Sequence, residues 1–110
     1  MLKKSERVGR KDFSVFFKSG RRFQSPHTTI IYTPHPTLAG SVVVSKKVSN
    51  KAVERNKLRR RVYDALRQTL KTQKKTGVFI VVVKPSIRSL PRAEQRSHLL
   101  AQIGQVVKST

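Results

Sequence analysis

The sequence contains no cysteine, so it can form neither a disulfide nor a thiolate metal site. A lack of cysteine also fits a reducing compartment. The longest uninterrupted apolar run, residues 78–83, is far shorter than a segment that spans a bilayer. The first residues lack the apolar stretch and the small-residue cleavage pattern of a secretory signal. We therefore expect a cytoplasmic protein with no membrane span.

Acidic residues are scarce, with 5 Asp and Glu against 25 Lys and Arg, and the net charge is +20. The positive charge is spread along the whole chain, as in nucleic-acid binders, whose affinity falls steeply with salt. A chain of 110 residues is expected to form one domain over residues 1–110. We expect residues 1–10 to be partly flexible.

The few acidic residues also argue against a protein that cleaves nucleic acid by itself. A metal-dependent nuclease needs clustered carboxylates, but the five acids are scattered. Glu54 and Asp64 fall in one predicted helix, yet they are ten residues apart and too distant to hold one ion. The three histidines have no metal-ligand spacing. We predict no catalytic residue and no metal site on the protein.

The most informative stretch is residues 46–67, which places dense positive charge on a predicted amphipathic helix. Its apolar stripe consists of Leu58, Val62, Ala65, Leu66, Thr69 and Leu70. We expect Ser49 or Asn50 to cap the helix and Glu54 to lie in its first turn. Five of the seven residues from 55 to 61 are cationic and none is acidic, so their mutual repulsion favours an anionic partner. A nucleic acid and an acidic membrane surface are both candidates.

Arginine can bind a phosphate through two parallel hydrogen bonds, and lysine adds a point charge. The candidate binding residues of this segment are Lys46, Lys47, Arg55, Asn56, Lys57, Arg59, Arg60, Arg61 and Arg67. An ordinary solvated helix face is the commoner role of a charge run, but such a face normally alternates charges of both signs, and residues 55–61 contain no acid.

A shorter helix is predicted over residues 12–18, with Asp12 as its N-cap and Gly20 just beyond its end. Phe13, Phe16 and Phe17 share one face of it. Two interpretations stay open: the rings form part of the core, or they stack on unpaired bases. For stacking, the candidates are Phe13, Phe17 and Tyr32.

Strands are predicted at residues 21–23, 28–33, 41–45 and 78–83, and a final helix after residue 91. The second and third strands are joined by a short loop, and we expect them to pair antiparallel. The third and fourth enclose the basic helix, which predicts a parallel βαβ crossover. The fourth strand is apolar throughout and should be central. The fold class is α+β: a four-stranded sheet with packed helices in the order α-β-β-β-α-β-α.

These segments, in this order, resemble the bacterial ribonuclease P protein component. The resemblance includes VSKK at 44–47 followed by AVERNKLRR at 52–60, which corresponds to the family's Lys-Lys pair and its arginine-rich motif. DFSVFFKSG at 12–20, TIIYT at 29–33 and VFIVVVKPS at 78–86 resemble its first helix, first long strand and last strand. Lys57 departs from the usual arginine, and Tyr63 stands where a basic residue is common.

The resemblance implies an RNA-binding domain that assists a catalytic RNA, the RNA subunit of ribonuclease P, in removing the 5′ leader of precursor tRNA. It implies that the basic helix contacts that RNA, that Phe13, Phe17 and Tyr32 line a cleft for the leader, and that Mg²⁺ is bound mainly by RNA. It further implies a left-handed βαβ crossover, against the usual rule. The alternative from composition alone is a ribosomal or other structural RNA-binding protein.

Overall fold

The computed structural model describes residues 10–110. The expectation of a flexible start therefore lies, apart from residue 10, outside the described residues. The elements are α1 (Arg10–Ser19), β1 (Arg21–Gln24), β2 (Thr28–Thr33), β3 (Leu38–Val43), α2 (Ala52–Thr72), β4 (Gly77–Val83), a 3₁₀ turn (Pro85–Ser89) and α3 (Arg92–Ser109). This confirms the predicted order. Within residues 10–110, every helix is too short or too polar to cross a membrane.

The four strands form one mixed sheet in the order β1-β2-β4-β3. β4 is central, as its continuous apolar sequence predicts, and almost all of its side chains are buried. It pairs antiparallel with β2 and parallel with β3. The predicted parallel βαβ unit is thus confirmed, with α2 as its crossover helix, and its left-handed sense stays a prediction.

The expected antiparallel pairing of β2 with β3 is wrong. β4 lies between these two strands and forms hydrogen bonds with both. A strand that is apolar on both faces is buried best when it has a neighbouring strand on each side. The burial of β4 therefore outweighs the direct pairing of β2 with β3 that their short connecting loop would favour. β3 also begins and ends earlier than predicted, since the chain leaves the sheet at Val44 and enters the turn that holds the lysine pair.

The main core lies between one face of the sheet and the two long helices. Phe79 and Val81 of β4 pack there with Leu66 of α2 and Ile103 of α3, all fully buried. The predicted apolar stripe of α2 is buried apart from Thr69, which is half-buried. Tyr63 is buried as well, with 7% of its surface exposed. Tyr63, which stands where the family that the sequence resembles commonly has a basic residue, is therefore a core residue here.

The opposite face of the sheet carries a smaller core, covered by α1. Phe13, Phe16 and Phe17 pack against a buried cluster of Ile31, Val78 and Ile80 on β2 and β4. All three rings are only half-buried, because a helix of ten residues does not cover the whole face. Partly exposed apolar side chains of β3 and β4 therefore remain beside α1.

Of the two predicted caps of α1, the N-cap differs from the structure. The helix begins at Arg10, so Asp12 lies inside its first turn, where a carboxylate still suits the helix dipole. Gly20 follows the helix as expected, but its φ is not positive and the reason for glycine is space. A Cβ at this position would lie 2.4 Å from Cγ2 of Ile31, so a larger residue would push α1 away from β2.

Candidate nucleic-acid interface

The exposed face of α2 carries the cationic side chains that the sequence predicts for binding. Because Leu58, Val62 and Leu66 turn towards the sheet, residues about half a turn away face solvent. Of the nine predicted binding residues, the exposed ones are Lys46, Lys47, Asn56, Lys57, Arg60 and Arg67. Arg60 and Arg67 lie on the same side of the helix, two turns apart.

The other three predicted residues, Arg55, Arg59 and Arg61, are half-buried and hold fixed positions. Arg55 Nη1 donates to the Ser49 carbonyl oxygen at 2.9 Å. Arg61 Nη1 donates to Gln95 Oε1 of α3 at 3.1 Å. Each bond is to a neutral oxygen, so it fixes a guanidinium group without cancelling its charge.

Asn56 is tied to a neighbour on the same helix. Its Oδ1 accepts a hydrogen bond of 2.6 Å from Arg59 Nη1. The side-chain oxygen of Asn56 therefore already accepts a hydrogen bond within the protein. Its NH₂ group is the part of the amide that could donate to an acceptor on a ligand. Asn56 therefore helps to orient the Arg59 side chain.

The chain cannot neutralise its own charge. An ion pair joins Arg88 to Glu54 at 3.8 Å, and Asp64 also has an interaction partner. With 25 cations and 5 acids in the sequence, an excess of twenty positive charges persists however the acids are paired. The repulsion seen in the sequence is therefore also present in the fold, and a polyanion would relieve it.

The lysine pair lies in the turn before α2, at the end of the chain's path out of β3. Lys46 and Lys47 are exposed, and the turn is closed by a 3.0 Å hydrogen bond from the Val48 amide to the Ser45 carbonyl oxygen. Val48 is buried and anchors the turn to the core. Both lysines are thus held next to the first turn of the basic helix.

The predicted capping of α2 is wrong in its detail. The N-cap residue is Lys51, and its side chain makes no capping bond. Ser49 lies just outside the helix, where its hydroxyl donates to Glu54 Oε2 at 2.5 Å and accepts from the Lys51 amide at 3.2 Å. Glu54 lies in the first turn as predicted. Ser49 therefore stabilises the helix start through Glu54.

This contact sets the ionisation of Glu54. Its pKa lies below the ordinary value of 4.5, mainly because the Ser49 hydroxyl donates to the carboxylate, whereas partial desolvation opposes the shift. The charges of Arg88, Lys51 and Lys57 lower the pKa further.

Replacing Ser49 with alanine should raise the pKa of Glu54 towards its ordinary value, which an NMR titration of the carboxyl carbon would measure. A carboxyl whose pKa is lower in the folded protein stabilises the fold above the unfolded pKa, and this stability is lost as pH falls through the folded pKa. The stability difference between wild type and Ser49→Ala should therefore be larger at neutral pH than in acid. An unchanged pKa in the variant would contradict this account.

The aromatic candidates fall on two different faces of the sheet. Phe13 and Phe17 stack with ring centroids 5.5 Å apart on the α1 side. Tyr32 instead packs on the α2–α3 side, 4.9 Å from the ring of Phe79, with Lys75 Nζ 5.4 Å from its own ring centre. The structure brings two of the three predicted cleft residues together and leaves Tyr32 apart, because alternate residues of β2 point to opposite faces.

Arg22 of β1 is a residue that the sequence analysis missed at this surface. Its guanidinium lies over the ring of Phe17, 4.7 Å from the centroid, and its Nη2 donates to the Phe17 carbonyl oxygen at 2.9 Å. A cation beside a stacked aromatic pair suits a nucleic-acid strand, which offers both bases and phosphates. Arg22 pairs with Ile31 of β2, and this register places its side chain on the α1 face of the sheet. The register depends on how two strands pair, so no local sequence pattern predicts the position of Arg22.

The histidines and acids do not form a metal centre within residues 10–110, where no group of three or more His, Cys, Asp or Glu could hold an ion. His27 and His98 pack edge to face with centroids 4.8 Å apart. Partial burial and the neighbouring His27 lower the pKa of His98. His35 lies elsewhere, near Phe16.

Comparison with known proteins decides the family. The family model described as Ribonuclease P matches residues 2–107. The chain belongs to the ribonuclease P protein family. A relative from Picosynechococcus sp., named ribonuclease P protein component, is 32% identical over 99 residues, which cover 88% of this chain and 82% of the relative.

Solved structures of ribonuclease P proteins share the fold. The Staphylococcus aureus protein matches with a TM-score of 0.73 at 19% identity, over 94% of this chain and 96% of that one. The Thermotoga maritima protein matches with a TM-score of 0.71 at 24% identity, over 91% and 96%. The resemblance found from the sequence motifs is thus confirmed as membership of the ribonuclease P protein family.

Proposed function

We propose that this ribonuclease P protein is a non-catalytic subunit that assists a catalytic RNA in removing the 5′ leader from precursor tRNA in the cytoplasm. The RNA subunit binds the lysine pair and the exposed cations of α2. The leader binds the sheet face beside α1, at Phe13 and Phe17. The RNA carries out the cleavage, and the protein contributes charge and binding surface.

The observation that carries this proposal is the exposed cationic face of α2, which has no matching set of acids in the chain. Its apolar side is fixed to the core, so the stretch of helix that carries Arg60 and Arg67 is held in place before RNA arrives. Each phosphate that they neutralise releases condensed cations from the RNA, which favours association.

A single-stranded leader fits the α1 face for a different reason. Unpaired bases bind to exposed aromatic rings, each contributing about 1–3 kcal/mol. Phe13 and Phe17 present a half-buried stack, and Arg22 beside it can bind a phosphate of the same strand. The apolar side chains of β3 and β4 that α1 leaves partly exposed extend this surface. Tyr32 is not part of it, since it packs on the opposite face.

The Mg²⁺ ions of the reaction are assigned to the RNA and its substrate. The acids and histidines of residues 10–110 form no cluster that fits the ion. The protein strengthens Mg²⁺-dependent substrate binding indirectly, because its cations reduce repulsion between the phosphates of RNA and substrate.

The proposal is tested by combining the purified protein with a bacterial ribonuclease P RNA, a precursor tRNA and Mg²⁺ at low salt. We expect no cleavage by the protein alone, and cleavage by the RNA at a lower Mg²⁺ concentration when the protein is present. Cleavage by the protein alone would identify a protein nuclease. No effect on the RNA's activity would favour a structural RNA-binding protein of another kind.

Replacing Phe17 with leucine should weaken binding of precursors with long leaders by about tenfold and leave binding of leaderless tRNA unchanged. Leucine keeps the apolar contact with the core beneath α1 but removes the ring that stacks on a base, worth about 1–3 kcal/mol. The affinity of the assembled ribonucleoprotein for the two substrates is the measurement.

The control is Val15→Ala on the same helix, where the side chain is 59% exposed and outside the aromatic stack. It should bind both substrates as wild type does. If the loss in Phe17→Leu is the same with and without a leader, the ring serves only the core.

A further inference from the structure

A pocket of about 320 Å³ lies where the starts of α2 and α3 meet the turn before α2 and the 3₁₀ turn. Its lining contains five cations and one acid: Arg55, Lys57, Arg61, Arg88, Arg92 and Glu54. Three separate parts of the chain supply these side chains. Two of the arginines, Arg88 and Arg92, lie some thirty residues beyond the basic motif and play no part in the interface described above.

The charges within the pocket are poorly balanced. Glu54, the one acid, is already bound by the Ser49 hydroxyl and by Arg88 Nη2 at 3.8 Å. It offsets one of five positive charges, so the lining keeps an excess of about four. Burial lowers the pKa of the Arg61 guanidinium, and repulsion from Arg92 across the pocket lowers it further.

Two of the arginines, Arg61 and Arg88, are nevertheless fixed in place by neutral partners. Arg88 Nη1 donates to the carbonyl oxygen of Val48 at 3.3 Å, and Arg61 Nη1 donates to Gln95 Oε1 at 3.1 Å. Gln95 is itself held by the carbonyl oxygens of Ile87 and Leu90, at 3.2 and 3.0 Å. Positioned cations in a concave site, with one carboxylate among five of them, are suited to a small multivalent oxyanion.

We propose that this pocket binds one phosphate group, with Arg61, Arg88 and Arg92 as its principal donors. The group is either a free phosphate ion or a backbone phosphate of the RNA partner, and the second source rests on the proposed function. In the assembled particle it extends the α2 interface to the start of α3, since Lys57 and Arg61 of α2 line the pocket together with Arg88 and Arg92.

The direct test is a titration of the purified protein with inorganic phosphate, followed by NMR of the arginine side-chain Nε–Hε groups. We expect saturable shifts at Arg61, Arg88 and Arg92. Arg92→Gln should weaken phosphate binding by about tenfold, because it removes a charge-assisted contact. The variant should fold normally, since a cation at the N-terminus of a helix opposes the helix dipole and its loss is no cost to α3.

The matched control is Arg96→Gln, one turn further along α3, where the side chain is exposed and donates to Gln68 instead of lining the pocket. It removes the same charge and should leave phosphate binding unchanged. Equal phosphate affinity in the Arg92 and Arg96 variants would overturn the proposal. So would a titration in wild type that does not saturate.

A second arm compares the same variants for binding to ribonuclease P RNA in phosphate-free buffer. Weaker RNA binding in Arg92→Gln than in Arg96→Gln supports the pocket and assigns the phosphate to RNA. Loss of phosphate binding with equal RNA affinity supports the pocket and assigns it to the free ion. If wild type binds no RNA, the proposed function fails, and the phosphate titration still decides whether the pocket is an anion site.

Discussion

Replacing Lys47, Arg60 and Arg67 together with glutamine should weaken binding to ribonuclease P RNA by about a hundred- to a thousandfold at low salt. All three side chains are exposed, and each is expected to contact one phosphate, at roughly tenfold in affinity. The plot of log affinity against log salt should become less steep by about 2 to 3, since each lost phosphate contact removes about 0.7–0.9 from the slope. Filter binding over a range of salt concentrations gives both quantities.

A matched triple variant separates the effect of the position of the cations from the effect of net charge. Lys18, Arg96 and Lys108 are also exposed, and their replacement by glutamine removes the same net charge from α1 and α3. That variant should lose only the long-range electrostatic attraction to the RNA, which salt screens. It should keep most of the slope of log affinity against log salt. If the two triple variants lose affinity and slope equally, the RNA does not select the α2 face, and this part of the proposal is wrong.

Much of the fold follows from periodicity within single segments. The spacing of Leu58, Val62 and Leu66 predicts both the buried side of α2 and the exposed position of its cations, because a helix repeats every 3.6 residues. The continuous apolar run of β4 predicts a central strand for a similar reason: only a strand covered on both faces can bury every side chain.

Apart from the helix caps and the bounds of β3, the errors concern relations between segments, which local patterns do not contain. Alternation in β2 separates Ile31 from Tyr32, but the sequence does not say which of them faces α1. That choice depends on where α1 packs, and Gly20 permits its close approach to Ile31. The predicted apolar stripe of α2 likewise omits Tyr63, because this residue lies at the border of the stripe. In the structure its ring packs in the core.

The residues of the candidate site could likewise be predicted only where they lie close together in the sequence. Nine candidate binding residues of the α2 region could be named because they lie within one short stretch of sequence, residues 46–67. The turn that carries Arg88 and the start of α3 that carries Arg92 meet the start of α2 only after the chain has folded. Neither arginine belongs to a charge run, so the pocket between these elements could be found only in three dimensions.

Replacing Leu66 with alanine should lower the free energy of unfolding by about 2–5 kcal/mol, because it leaves a cavity beneath the centre of α2. Leu66 is fully buried in the main core, together with Phe79 and Ile103. Small domains are stable by only about 5–15 kcal/mol, so this one change removes a large share of the total. Urea unfolding followed by circular dichroism measures the loss.

Val53→Ala is the control on the same helix, since Val53 is 65% exposed and its truncation should change stability by less than about 0.5 kcal/mol. RNA binding then distinguishes a folding defect from a lost contact. Leu66→Ala leaves every cation of α2 in place, so RNA binding should weaken only through the smaller folded fraction, and the salt dependence should stay that of wild type. A flatter salt dependence in Leu66→Ala would mean that the folded variant no longer presents the cations of α2 in their native positions.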